Sequence, residues 1–187
     1  METSVSSASF AEPLALWLGE RMPPRLFAPA AGVILAGSAV AGSPTLAWLP
    51  GAGATLILLL LQFRLWDDLA DVPRDRVEHP ERFLPRCASF APFHFALGVA
   101  GVASLLAVGL LSGLYAALAL VALNAAAALW YWRAPSRRAG PLGSLVILAK
   151  YPVFSVLIAP APLDPLALAG AGIAVYLVFC VHEWRTA

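Results

Sequence analysis

The stretch that decides the fold reads Arg64-Leu65-Trp66-Asp67-Asp68-Leu69-Ala70-Asp71-Val72-Pro73-Arg74-Asp75. It places four aspartates within nine residues, directly after the apolar segment 52–66. Carboxylates crowded in this way repel one another unless a cation holds them together. Because the preceding segment is apolar enough to enter a bilayer, the sequence predicts a cation-binding cluster at the edge of a membrane.

The composition is that of an integral membrane protein. Of the 187 residues, 60% are hydrophobic and 12% are charged, whereas about 25% of the residues in a soluble domain are charged. The mean hydropathy is +0.80. A net charge of +1 gives no reason to expect nucleic acid as a partner. Cys87 and Cys180 lack metal-ligand spacing, so we interpret them as free thiols.

Pro and Gly punctuate the chain between six apolar stretches, and a helix needs about 20 apolar residues to cross a bilayer. We therefore predict an all-α integral membrane protein with a single transmembrane domain over residues 1–187. Its six predicted spans cover about 26–48, 52–66, 91–111, 114–132, 142–159 and 166–181, with a cytoplasmic acidic loop over 67–90. Segment 14–25 is mildly amphipathic and is expected along the membrane interface.

The basic residues predict the orientation, because connections rich in Lys and Arg stay on the cytoplasmic side. Eleven of the twelve basic residues flank span one, the loops after spans two and four, or the end of span six. The remaining connections carry Asp164 as their only charge. We therefore expect a multi-pass protein of the cytoplasmic (inner) membrane, with both termini and the acidic motif on the cytoplasmic side.

Helical geometry gathers the aspartates on one face. Successive residues lie about 100° apart, so Asp71, Asp75 and Asp68 fall about 40°, 80° and 100° from Asp67, and Arg64 about 60° from it. Magnesium takes oxygen ligands and commonly sits between carboxylates and substrate phosphates. The pattern indicates an Mg²⁺ site that takes a phosphate.

An acidic solvated loop is the alternative interpretation of the same residues. In that case the aspartates are neutralised by the arginines of the segment, Arg74, Arg76, Arg82 and Arg86. Pro73 removes a backbone donor and clashes with the preceding turn. The helix could therefore break near Val72, which would leave Asp75 on a loop or on a second helix.

The spacing Asp67-Asp68-x-x-Asp71-x-x-x-Asp75 resembles the first aspartate-rich motif of the UbiA superfamily of intramembrane prenyltransferases. Four flanking segments are also similar to that family: Phe63-Arg64-Leu65-Trp66, His79-Pro80-Glu81-Arg82-Phe83-Leu84-Pro85, Glu20-Arg21-Met22-Pro23, and the stretch from Tyr131-Trp132-Arg133 to Arg138. The motif with its downstream His-Pro-Glu-Arg is the most specific part of the resemblance.

The resemblance implies a ring of transmembrane helices around a cavity that opens to one membrane face and sideways to lipid. It implies transfer of an isoprenoid from a prenyl diphosphate to a lipophilic, often aromatic, acceptor. Mapped onto this chain, Asp67, Asp68, Asp71 and Asp75 would hold Mg²⁺. The metal would bridge the carboxylates to the diphosphate and stabilise the leaving group as a Lewis acid.

The chain also departs from the family pattern. The family has a second aspartate-rich motif after its sixth span, and beyond Asp75 the acidic residues here are Glu78, Glu81, Asp164 and Glu183. The resemblance thus covers about the first two thirds of the family fold. Three accounts stay open: a reduced enzyme, a ring completed by a partner chain or by further copies (a split prenyltransferase), or a non-catalytic membrane subunit.

Polar residues inside the spans are further candidates. Lys150 is costly in a bilayer, so we predict that it acts with Asp68 and Asp71 in catalysis and, with Arg64, binds the diphosphate; the alternative is snorkelling towards headgroups. Asn124 is expected to bond another helix. Three arginines after span four could hold a diphosphate or serve only as topology anchors, namely Arg133, Arg137 and Arg138. His182-Glu183 is predicted to contact headgroups.

Overall fold

The computed structural model describes residues 11–133 and 141–186, and these ranges are helical with no strand. The chain begins with α1 (Ala11–Arg21), α2 (Pro24–Val40) and the long α3 (Trp48–Glu78). A 3-10 turn (Leu84–Arg86) leads into α4 (Ala91–Ser112) and α5 (Leu114–Arg133). The described chain ends with α6 (Pro141–Leu148), α7 (Lys150–Ile158) and α8 (Pro165–Thr186).

Among the described residues, four helices are long and apolar enough to cross a membrane: α3, α4, α5 and residues Pro165–Trp184 of α8. One side of α4 is both apolar and exposed. Its residues follow helical spacing and are Phe95, Val99, Val102, Leu106 and Leu110. An exposed apolar stripe of this length is the pattern of a helix in lipid. The predicted all-helical class is therefore confirmed for the described residues, and these four helices are candidate membrane spans.

The other two predicted spans are shorter than expected. α2 ends at Val40, and the chain from Ala41 to Ala47 is not helical. The fifth predicted span is divided into α6 and α7 at Ala149. Pro152 accounts for this break, because it has no N–H to donate to the Leu148 carbonyl of a continuous helix and its ring crowds that carbonyl.

The predicted loop 67–90 is helical over its first half. α3 runs through Pro73 to Glu78, and the His79 N–H closes its end by donating to the Asp75 carbonyl at 2.9 Å. The break considered near Val72 is therefore wrong. Val72 and Asp75 are buried, so packing on this face outweighs the cost of a proline inside a helix, about 3 kcal/mol for the lost hydrogen bond and the ring clash together.

Two groups of packed side chains hold the helices together. The larger core joins α2, α3, α7 and α8 around Phe63 and Phe154, whose ring centroids lie 5.1 Å apart. The smaller core joins α1, α3, the 3-10 turn and α4 through Trp17, Leu65 and Leu84. This second core seats the amphipathic α1 against the acidic end of α3.

A polar contact between two helices agrees with a sequence interpretation. The Gln62 amide donates to the Asn124 carbonyl oxygen at 2.7 Å, so Asn124 bonds another helix as expected. Asp164 accepts the Leu166 N–H at 2.9 Å and so caps the start of α8, which gives this isolated charge a structural role. Cys87 and Cys180 are free thiols.

Candidate functional site

The acidic motif lies in the C-terminal half of α3. Each of its aspartates contacts a different neighbour. Asp68 is 5% exposed and accepts hydrogen bonds from α1 on both oxygens. The Trp17 indole N–H donates at 2.9 Å and the Arg21 Nε at 3.0 Å to its Oδ2, while the Arg21 Nη2 donates at 2.7 Å to its Oδ1. Arg64 Nη2 lies 3.4 Å from the same Oδ1.

Asp67 ties α3 to two other helices. The Lys150 ammonium of α7 pairs with its Oδ2, and the Tyr131 hydroxyl of α5 donates to its Oδ1. Lys150 is 6% exposed, so its side chain is buried in the protein. Lys150 therefore lies against the acidic motif inside the protein, and its predicted contact with a diphosphate stays a prediction.

Asp75 and Asp71 complete the row. Asp75 is 4% exposed, and both of its oxygens accept from Arg82 Nη1 at 2.8 Å. The Asp71 side chain is 28% exposed and lies 3.9 Å from Arg74, which is an ion-pair distance but longer than a hydrogen bond. Asp71 is thus the most accessible carboxylate of the four.

The counterions of the row come from the protein itself. Lys150, Arg21 and Arg82 reach Asp67, Asp68 and Asp75 from three different elements. The expectation that a cation holds the aspartates together is met here by side chains of the protein, and the predicted Mg²⁺ stays a prediction. Within the described residues, no three Asp, Glu, His or Cys side chains are placed to hold a metal ion together.

A polar cavity of about 600 Å³ lies beside the row. Its charged lining comprises Arg21, Arg64, Asp67, Asp68, Asp71, Arg74, Arg82, Lys150 and Glu183. These are five basic and four acidic residues, so the lining is close to neutral. The elements that meet here are the ones predicted to share the cytoplasmic face.

A second, apolar cavity of about 230 Å³ adjoins the first, and both cavities are lined by Ile147 and Lys150. Its walls come from α3, α5, α6 and α7 and include the aromatic rings of Phe63, Trp130 and Tyr131. The Trp130 indole N–H is buried without a hydrogen-bond partner. Lys150 therefore stands at the junction of a charged space and an apolar one.

Two tests show how far Mg²⁺ fits these residues. A carboxylate has about four lone-pair positions, and Trp17 and Arg21 already use both positions on Oδ2 of Asp68. Asp67 accepts one bond on each oxygen, and Asp71 lines the cavity with part of its side chain exposed. Since Mg²⁺ in phosphate sites commonly takes one or two carboxylates, Asp67 and Asp71 suit it, whereas Asp68 and Asp75 suit it only if their arginines move.

Of the four arginines predicted to bind the diphosphate, two are described, and their positions relative to the cavity differ. Arg64 lines the polar cavity as predicted. Arg133 is exposed, and its guanidinium lies 5.7 Å from the Trp132 ring centre rather than among the lining residues. Arg137 and Arg138 lie outside the described residues.

Sequence reasoning missed several members of the site. Trp17 and Arg21 stand four residues apart on α1, a spacing that puts both on one helix face, and this pattern was the available signal. His182 and Glu183, predicted as headgroup contacts, line the polar cavity. Tyr131 was noted only as part of the segment from Tyr131 to Arg138 that resembles the family, and its contact with Asp67 was not predicted.

The raised pKa of Arg21 agrees with the docking of α1 against α3. Burial works to lower the pKa of Arg21, but the hydrogen bond and the negative charge of Asp68 outweigh it, so the pKa is raised. Arg21 is therefore charged at every physiological pH.

Comparisons with known proteins identify no relative: no family model matches the chain, and neither a curated protein nor a solved structure matches it. The site must therefore be interpreted from its own geometry.

Proposed function

We propose that this protein is a UbiA-like membrane prenyltransferase that transfers an isoprenoid from a prenyl diphosphate to a lipophilic or aromatic acceptor with Mg²⁺. One observation carries the proposal: a charged cavity and an apolar cavity meet at Lys150. A ligand with an anionic head and a hydrocarbon tail fits both spaces, with its head in the charged cavity and its tail in the apolar one. The motif at Asp67–Asp75 and its flanks add the resemblance to that family.

In this proposal the basic residues of the polar cavity hold the diphosphate. Lys150 and Arg64 donate to phosphate oxygens, which is the role predicted for them from sequence. Asp67 and Asp71 share Mg²⁺ with the phosphates, and the metal, when bound, supplies Lewis-acid stabilisation of the leaving diphosphate. The Phe63, Trp130 and Tyr131 rings face the allylic carbons and favour positive charge that develops there.

The proposal includes the wider fold. α2 and the α6–α7 pair complete six spans, with both termini and the acidic motif on the cytoplasmic face. A partner chain or further copies of this chain complete the family's helical ring. Cysteine substitutions at Ser89 and Asp164, both exposed, test the topology with a membrane-impermeant maleimide. We expect labelling from opposite sides, and labelling from the same side would contradict the six-span arrangement.

A second candidate is a non-catalytic membrane subunit, and a specific observation favours it. Asp67, Asp68 and Asp75 connect α3 to α7, to α1 and to the segment after α3. Such ion pairs can hold a fold together without any ligand. The acidic motif can therefore serve a purely structural role.

One experiment separates the two candidates. The purified protein is mixed with a radiolabelled prenyl diphosphate with and without Mg²⁺, and then with candidate aromatic acceptors, while diphosphate release is measured. The enzyme requires Mg²⁺-dependent binding that Asp71→Asn abolishes, followed by release of diphosphate. Glu81→Gln is the matched control, because the Glu81 side chain is 72% exposed near the same helix end. Binding without release favours the subunit, and the absence of binding excludes the enzyme.

A further inference from the structure

The amphipathic helix α1 makes its contacts with the site through one face. Trp17 is 1% exposed and Arg21 lies one turn further on, and both donate to Asp68. Glu20 accepts the Phe83 N–H at 2.9 Å, which ties the same helix to the segment after α3. Leu16 and Leu18 on the other side of α1 are exposed. α1 therefore depends on the Asp68 end of α3 for its position.

Docking of α1 takes away the capacity of Asp68 to bind a cation. Its Oδ2 already accepts two hydrogen bonds and its Oδ1 accepts one from Arg21, with Arg64 nearby. A carboxylate offers about two positions per oxygen. A divalent ion in the polar cavity therefore meets an Asp68 whose positions are largely filled by side chains of α1.

We propose that α1 is a latch on the polar cavity: Arg21 and Trp17 occupy Asp68 in the ligand-free protein, and a divalent cation gains Asp68 only when α1 releases it. The proposal rests on the proposed function, since it assumes a divalent cation that enters with a diphosphate. Arg21 lines the same cavity, so the latch and the cation compete for Asp68 at the cavity wall.

Hydrogen exchange reports the latch without any ligand. α1 has 11 residues, and an isolated helix shorter than about 12–15 residues is marginal in water. Its amides are therefore protected mainly by docking. In Arg21→Gln we expect them to exchange about tenfold faster or more, because a charged hydrogen bond is lost. Arg25→Gln is the matched control, since it removes the same charge at an exposed position four residues on.

Metal binding reports the competition. The probe is Mn²⁺ in place of Mg²⁺, with inorganic diphosphate present, and its binding is measured by electron paramagnetic resonance. Arg21→Gln should bind Mn²⁺ about tenfold more tightly than the parent protein, and Arg25→Gln should equal the parent. Trp17→Phe keeps the ring and the net charge but removes the N–H donor. It should tighten binding about two- to tenfold, which separates release of the latch from a change of charge.

Asp68→Asn provides the decisive contrast. It loses the ion pair with Arg21, so α1 should exchange as fast as in Arg21→Gln, but Mn²⁺ should bind more weakly than in the parent. The latch is overturned if α1 exchanges at the parental rate in Arg21→Gln, or if Mn²⁺ binds no more tightly in Arg21→Gln and Trp17→Phe. If no variant binds Mn²⁺ with diphosphate, the proposed function fails as well; if the parent binds it and the variants gain nothing, the latch alone fails.

Discussion

Two pairs of aspartates on one helix face different surroundings. We call Asp68 and Asp75 the arginine-bound pair, because an arginine lies at hydrogen-bond distance from both oxygens of each. We call Asp67 and Asp71 the cavity pair, because both line the polar cavity and their side chains are the more exposed of the four, at 14% and 28%. The motif spacing is shared, so the partners from other elements decide what each carboxylate can do.

The difference implies that one pair of aspartates supports the fold, whereas the other is placed to bind a ligand. The arginine-bound pair joins α3 to α1 and to the segment after α3. The cavity pair is held by Lys150 and Tyr131 or left partly exposed, and it lies next to the space that suits a ligand. An aspartate-rich motif therefore contains structural members as well as candidate ligands, and only the fold separates them.

The largest expected effect is the loss of protein stability when a member of the arginine-bound pair is removed. Asp68→Ala leaves the Arg21 charge and the Trp17 N–H without their shared acceptor. Removing one member of a buried ion pair costs about 3–5 kcal/mol, so we expect the free energy of unfolding to fall by about 3 kcal/mol. Asp71→Ala should cost less than about 1 kcal/mol, because its ion pair is long and accessible. Circular dichroism during denaturation in mixed micelles measures the free energy of unfolding of both variants. Equal losses would show that the two pairs contribute equally to stability.

The next largest effect concerns ligand binding at the cavity pair. Lys150→Met keeps the length of the side chain and removes the charge at the junction of the two cavities. A charged hydrogen bond to phosphate contributes about 1.5–3 kcal/mol, so the affinity for a prenyl diphosphate should fall about ten- to a hundredfold. The residual binding should still require Mg²⁺. Equilibrium binding of the radiolabelled diphosphate in detergent measures the change.

Arg133→Gln is the control for this variant, because Arg133 is exposed and lies over Trp132 away from the cavity lining. It should bind the diphosphate as the parent does. If Lys150→Met binds as tightly as the parent and changes only in stability, Lys150 supports Asp67 structurally, and the cavity pair differs less from the arginine-bound pair than we infer.

Several elements of the fold followed directly from the sequence. The predicted bounds 91–111 and 114–132 agree closely with α4 and α5, because uninterrupted apolar runs between Gly and Pro leave little freedom in where a helix starts and stops. The placement of the four aspartates on one helix was also predictable, because their spacing fits a helical repeat.

The rest depends on contacts between distant segments. The partner of Asp68 lies 47 residues away at Arg21, and nothing in local spacing connects the two. The continuation of α3 through Pro73 depends on the burial of Val72 and Asp75 by later residues. The division at Ala149 was accessible in principle, since Pro152 is visible in the sequence, but apolar composition alone does not reveal it.

The smallest effect concerns the reactivity of Cys87, which packs in the smaller core with Trp17 and Leu84. Burial raises the pKa of its thiol, and the Sγ lies 3.5 Å from the Phe83 carbonyl oxygen. The thiolate is the reactive form, so alkylation in a Cys180→Ser background should be slow at neutral pH. Its rate should rise about tenfold per pH unit until the pH reaches the raised pKa.

The comparison of the two pairs predicts which substitutions change this rate. Asp68→Ala loosens α1 and with it the smaller core around Cys87, so alkylation should become a few times faster. Asp71→Ala should leave the rate unchanged, because Asp71 faces the cavity instead. Timed labelling with a maleimide followed by mass spectrometry gives both rates. If both variants accelerate labelling equally, the arginine-bound pair does not stabilise this region more than the cavity pair does, and the division of roles between them is wrong.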